Sequence, residues 1–271
     1  MKIGRTTVVD SAICTSDDET IVVRGENLTR DLIGNIGFVD YFFLLVTGKR
    51  PDAAASRVLD ATLVAIAEHG LVPSVQAARM TLAAAPDALQ GAVAAGVLGC
   101  GSVILGASET AGRMFARIDT LAREKSLALG DAAQQVVREL RAEGKAVPGY
   151  GHPLHKARDP RVARLFEVAK NVGTPGRFVA IAEAVEAVLP AITGRELKLN
   201  VSAAIPAVLL DVGFPLDALK GVPILARTAG LIGHLTEELA KPIGFALSYQ
   251  ATREQTYSGE LPDGWTPKTD S

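Results

Sequence analysis

DAAASRVLDATLVAIAEH, residues 52–69, places Val58, Leu59, Leu63 and Ile66 at the spacing of one helical face, and Gly70 ends the run. Outward from it the same period persists. On the N-terminal side, GFVDYFFLLVTG (37–48) reads as a helix stopped by Gly48 and by Pro51 beyond it, and NLTRDLI (27–33) opens another. On the C-terminal side, helices are predicted over 75–84, 88–99, 110–124, 131–143, 159–170, 177–189, 201–212, 216–219 and 223–239. Alternating strand–helix–strand units are absent. Only ahead of Arg24 does the pattern change: TTVVDSAICTS (6–16) and DETIVVRGENL (18–28) alternate weakly, with a β-branched run Thr20–Val23 and a turn at Ser16, Asp17 and Asp18. The predicted class is all-α with a small N-terminal β-hairpin.

Composition bounds the rest. The 271 residues are 48% hydrophobic, with 28 Lys and Arg against 30 Asp and Glu and a net charge of −2, which suits a sizeable core and excludes general disorder. Near-neutral charge gives no footprint for nucleic acid or an anionic membrane, so an acidic ligand must be met locally. The uncharged stretch 88–108 is long enough to span a bilayer, but its five glycines, its alanine richness and its acidic bounds at Asp87 and Glu109 predict a buried helix, packed closely at a subunit interface. MKIGRTTVVD at the N-terminus lacks the apolar region of a signal peptide, so the expected location is the cytoplasm. Cys14 and Cys100, without metal or redox spacing, are expected to be inert packing residues, and no metal site is indicated.

The charged helices from about 110 to 195 differ from the apolar segments around them. They predict a small domain over 110–205 inserted into a large discontinuous one, 1–109 and 206–271. The polar tail 252–271 reads as an extended arm or as a frayed end.

Imidazole chemistry has four histidines to draw on. His69 sits at a predicted helix C-terminus, where position alone favours capping. His234 lies inside LIGHLTEEL (231–239) and reads as structural. His152 differs, because PGYGHPLHK (148–156) is a loop with two glycines, and Lys156, Arg158 and Arg161 follow closely. Spacing alone leaves it open whether this is an anion-binding active-site loop or an ordinary one.

PGYGHPLHKARDPR (148–161) resembles the citrate synthase signature, in which Gly-x-Gly-His-x-x-Tyr-Lys is followed by Asp-Pro-Arg. Six further segments agree in order: IVVRGENLTRDL (21–32), YFFLLVTGKRP (41–51), AEHGLVPSVQAAR (67–79), GSVILGASE (101–109), NVSAAIPAVLLDVGFP (200–215) and ARTAGLIGHLTEE (226–238). The chain is similar to the short citryl-CoA lyase and citrate-synthase-like branch throughout. The resemblance implies a homodimer of mostly helical subunits whose two domains close over a di- or tricarboxylate and a coenzyme A thioester, the thioester being a substrate and no cofactor being permanently bound. It implies carboxylate binding by His69, Arg161 and Arg227. His152 takes the position that polarises a ketone or handles a hydroxyl. Lys156 and Arg158 stand by position as coenzyme A contacts. Lys241 replaces an arginine that reaches the neighbouring subunit's site, and the change loses the bidentate fork.

Two departures follow from the same alignment. The histidine of the family's Leu-His-Gly-Gly-Ala-Asn segment aligns with Ile104, and the aspartate of its Asn-Val-Asp aligns with Ser202. Losing an oxyanion donor costs about 10²–10³ in rate, and losing an acid–base group costs about 10²–10⁴. Ordinary citrate synthase activity is therefore not expected. Three readings remain: a lyase or condensing enzyme joining or splitting a thioester and a 2-keto di-acid, with His155 as a relocated base and Ser102, Ser108 or Ser202 as donors; a non-catalytic dicarboxylate and coenzyme A sensor; and a partner subunit of an intact paralogue. His155 itself reads equally as a packing residue or a coenzyme A phosphate contact.

Overall fold

A computed structural model describes residues 10–101, 105–151 and 159–265. The N-terminal hairpin is present as β1 (Cys14–Ser16) antiparallel to β2 (Ile21–Val23), with Cys14 opposite Val23. A two-residue strand, β3 (Glu26–Asn27), extends it to three strands. Arg24 and Gly25 both take positive φ, 51° and 86°, the two-residue turn that matches the natural twist of a hairpin. The Arg24 side chain is held there by the Leu45 carbonyl, to which Nε and Nη2 donate at 3.0 and 2.6 Å.

Among the described residues, the named elements that follow are helices. A single π-type turn (Leu28–Leu32) is followed by α1 (Phe38–Thr47), α2 (Ala53–Ala67), α3 (Pro73–Ala84), α4 (Leu89–Leu98), α5 (Gly106–Glu124), α6 (Leu129–Ala142), α7 (Pro160–Asn171), α8 (Arg177–Thr193), α9 (Val201–Asp211), α10 (Gly221–Ala240) and α11 (Gly244–Glu254). Side-chain caps set several starts. Asp52 accepts the Ala55 amide at 2.8 Å, Asp159 accepts that of Arg161 at 3.0 Å with Pro160 as the first helical residue, and Asn200 accepts that of Ser202 at 2.9 Å. The predicted helices agree to within a turn, whereas α11 was not expected and α2 stops at Ala67, short of His69.

The chain divides into two compact units, 1–69 with 100–230, and 70–99 with 231–271. The first is built around α9, whose residues Ala203–Leu209 are all buried, as suits a helix enclosed by α5, α7 and α8. α5 approaches α9 closely because Gly112 has no side chain: a Cβ there would lie 2.4 Å from Leu219 and 3.2 Å from Pro206. Phe115, Ile118, Val137, Ile181, Val185 and Leu189 complete the core of this unit.

The second unit packs α3, α4 and α11 with the end of α10 around Val75, Leu82, Leu231 and Leu235. The uncharged stretch is no membrane span: α4 ends at Leu98 after ten residues, and no helix among the described residues is long and apolar enough to cross a membrane. Nor is α4 buried all round, since Leu98 is 85% exposed. Its small residues serve contacts inside the chain, where a Cβ on Gly96 would meet Leu231 at 2.7 Å and the Ser74 carbonyl at 3.0 Å. Cys14 corrects a second expectation, because it is exposed on β1 and packs no core.

Arg79 anchors this unit. It is 2% exposed and donates to Glu238 (2.6 Å), to Glu237 (2.8 Å) and to the Lys241 carbonyl (3.2 Å), with His234 Nδ1 at 3.3 Å. Glu238 in turn accepts the amides of Ile243 and Gly244 at 2.9 and 2.7 Å, which fixes the start of α11. Burial pushes the Glu238 carboxyl up, but Arg79 and the two amides outweigh it and hold it below the usual range.

Candidate active site

The segment before the mid-chain histidines is stapled to the start of α9. Tyr150 forms a bridge with Leu199, Gly151 N–H donates to the Lys198 carbonyl (2.8 Å), and Asn200 N–H donates to the Gly149 carbonyl (3.0 Å). Gly149 is required here. Its φ is +84°, and a Cβ would fall 2.4 Å from that of Ala203 and 2.9 Å from its backbone nitrogen. The Tyr150 hydroxyl donates to the Ala182 carbonyl (2.7 Å), and the Asn200 amide donates to the Gly151 carbonyl (2.8 Å).

A cavity of about 380 Å³ opens beside this staple, entirely within the first unit. Two helix starts face it: α5 through Leu105, Ala107 and Ser108, and α9 through Asn200, Val201 and Ser202. Such starts carry partial positive charge, although the Val201 and Ser202 amides of α9 are taken by Asp159 and Asn200. The end of α2 adds Ile66 and His69, and α10 adds Pro223 and Arg227. Gly230 brings α10 this close, since a Cβ on it would lie 2.0 Å from the Ala67 carbonyl. Arg227 is one turn before that contact and His69 two residues after it. Gly151, Asp159, Arg161 and Ile205 complete the lining.

The charges in the cavity are unequal. Arg227 is 4% exposed, and its Nε and Nη1 have no hydrogen-bond partner among the described residues. Arg161 is engaged by Asp159, to whose two oxygens Nε and Nη2 donate at 3.0 and 2.8 Å. Asp159 also accepts the Val201 amide at 3.3 Å. Burial raises the Asp159 carboxyl, but Arg161 and these amides prevail and keep it below the ordinary carboxylate range. An unpaired buried guanidinium costs stability unless an anion completes it.

His69, Arg161 and Arg227, together with Ser108 and Ser202, are thus brought to one cavity. His69 lies beyond the end of α2 as an exposed lining residue and not within the helix. Lys241 belongs to the second unit, where it is exposed while its carbonyl serves Arg79. His152, His155, Lys156, Arg158, Ser102 and Ile104 lie outside the described residues. Sequence reasoning missed Asp159 as the partner of Arg161; the Asp-Pro-Arg run showed a helix start, and only geometry shows the ion pair. It also missed Leu105, which lines the cavity with a φ of +71°. No group of three or more His, Cys, Asp and Glu suited to a metal occurs among the described residues.

Comparison with known proteins agrees with this architecture. The family model described as citrate synthase, C-terminal domain, matches residues 25–243. The citrate synthase of Synechocystis is 26% identical over 211 residues, 76% of this chain and 50% of its own. The chain spans about half the length of the curated relatives it matches. Among solved structures, a citryl-CoA lyase from Hydrogenobacter thermophilus superposes with a TM-score of 0.82 at 32% identity, covering 96% of this chain and 98% of the other. An ATP citrate lyase from Methanothrix soehngenii, in complex with citrate and coenzyme A, gives 0.76 at 26% identity over 98% of this chain and 44% of its own. With the family model spanning most of its length, the chain belongs to the citrate synthase family.

Proposed function

We propose that this chain makes or breaks the carbon–carbon bond between a coenzyme A thioester and a 2-oxo acid, in the manner of a citryl-CoA lyase, with the acid's carboxylate on Arg227. The observation that carries the reading is the buried Arg227 guanidinium with two donors unpaired in a cavity that two helix starts also face. A carboxylate there completes the guanidinium and lies near the positive ends of α5 and α9. The likeness to a citryl-CoA lyase over nearly the full length of both chains supports the same class.

In the cleaving direction, a base takes the carbinol hydroxyl proton, the bond from the carbinol carbon to the thioester α-carbon breaks, and its electron pair passes to the thioester as an enolate. A proton returned to the α-carbon leaves a 2-oxo acid and a shortened thioester. We assign the hydroxyl to His152 and the α-carbon proton to His155, with Ser108 or Ser202 donating to the thioester oxygen. In support, Gly151 and Asp159, the residues flanking 152–158, both line the cavity. His69 and Arg161 assist the acid. Lys156 and Arg158 hold coenzyme A, and Lys241 reaches a neighbouring copy's site in a cytoplasmic homodimer. Closure of the 110–205 domain excludes water.

Purified full-length protein, given citryl-CoA and analogues in which the carboxymethyl arm is methyl or ethyl, is expected to release acetyl-CoA and the matching 2-oxo acid. His152→Ala is expected to abolish this. No cleavage of any of these thioesters, with Arg227-dependent binding of the acid, would replace the reading with a second one, a non-catalytic acid sensor or a partner subunit of an intact paralogue. One observation favours that second reading: the carboxylate among the described lining residues, Asp159, is locked onto Arg161 and is a weak base.

A further inference from the structure

We propose that the cavity selects an acid carrying one carboxylate and a short alkyl arm in place of a second carboxylate, and that Leu105 is the residue that sets this preference. The proposal rests on the reading of the cavity as an acid site and narrows the acid it takes.

The first argument is charge. Two guanidinium groups line the cavity among the described residues: Arg227 is buried with Nε and Nη1 unpaired among those residues, and Arg161 is paired with Asp159. Arg161 spends the Nε and Nη2 fork on Asp159, so one of the two edges that could grip a carboxylate in bidentate fashion is already filled. Asp159 is itself a fixed negative charge on the lining. A di-acid would have to place its second carboxylate beside that charge or displace it from its partner. Like charges brought together in a partly enclosed site repel, and the displaced aspartate would lose two charge-assisted hydrogen bonds.

The second argument is the apolar surface. Ile66, Val201, Ile205 and Pro223 line the same cavity as Leu105, so a hydrocarbon wall accompanies the buried Arg227. Leu105 is unusual among them. Its φ is +71°, a left-handed conformation that a leucine seldom adopts, and it precedes α5 with no side-chain cap of its own. A glycine would take this backbone without strain. The position instead carries an isobutyl group, half-buried on the cavity wall, where it adds apolar surface for an alkyl arm to pack against.

Calorimetric titration of the full chain with 2-oxobutyrate and with oxaloacetate tests the proposal, repeated on Leu105→Gly and Arg227→Met. The Leu105→Gly change suits the φ already present, and its melting temperature reports that the fold is kept. A methyl or methylene in an apolar pocket is worth about 10–200-fold. The wild type is therefore expected to bind 2-oxobutyrate at least ~10-fold more tightly than oxaloacetate, and Leu105→Gly is expected to remove that margin by weakening 2-oxobutyrate alone. Equal or tighter binding of oxaloacetate by the wild type, or equal weakening of both acids by Leu105→Gly, would overturn the proposal while Arg227-dependent binding left the acid site standing. Binding of neither acid, or binding indifferent to Arg227→Met, would remove both.

Discussion

Arg79 and Arg227 are both buried arginines, 2% and 4% exposed, and they sit in opposite circumstances. Arg79, in the second unit, is engaged by two carboxylates and a carbonyl. Arg227, in the first, leaves Nε and Nη1 unpartnered on a cavity wall. Taking an arginine from water is costly in either place, and the fold compensates only one of them. The satisfied guanidinium is a structural clamp; the other keeps donors that no group among the described residues satisfies. Burial alone would not have told them apart, whereas the census of hydrogen bonds does.

The contrast breaks first at Arg79. Arg79→Met strands Glu238 in the interior and is expected to destabilise the second unit by about 3–5 kcal/mol, read by chemical denaturation. A loss below 1 kcal/mol would mean that the pair is no clamp. Arg227→Met should act with the opposite sign, leaving stability unchanged or raising it by about 1–3 kcal/mol, because it removes buried donors that have no acceptor. A loss as large as that at Arg79 would show that Arg227 has a structural partner.

The smallest effect is on pH. The Glu238 carboxyl is depressed in the folded chain relative to its usual 4.5, so the unfolded state binds the proton first. Stability from this group is fully present above the unfolded value and is lost as pH falls through the folded one. Glu238→Gln is expected to flatten this acid limb of the stability curve; an unchanged limb would assign it to other carboxylates.

The helical architecture was legible because its signals are local. Val58, Leu59 and Ile66, predicted as one face of a helix, are buried as such, and Asp159 with Pro160 begins α7 as the capping rules expect. α11 escaped because its burial pattern is thin: Gly244 is its buried residue, while Phe245 and Tyr249 are exposed. β3 was too short to alternate. Within the site, the ordered motifs brought His69, Arg161 and Arg227 to attention, and these do line one cavity. What sequence could not convey was the state of each group. That Asp159 occupies Arg161, that Gly230 lets α10 touch the end of α2, and that Leu105 takes a left-handed φ are all consequences of tertiary packing.

The central claim is that Arg227 awaits a carboxylate. Calorimetric titration of a 2-oxo acid into the full chain and into Arg227→Met tests it most directly. The account predicts saturable binding that falls by about 100-fold or more in the variant, equal to ~2.7 kcal/mol, with no loss in melting temperature. Equal affinity in the two proteins would contradict it.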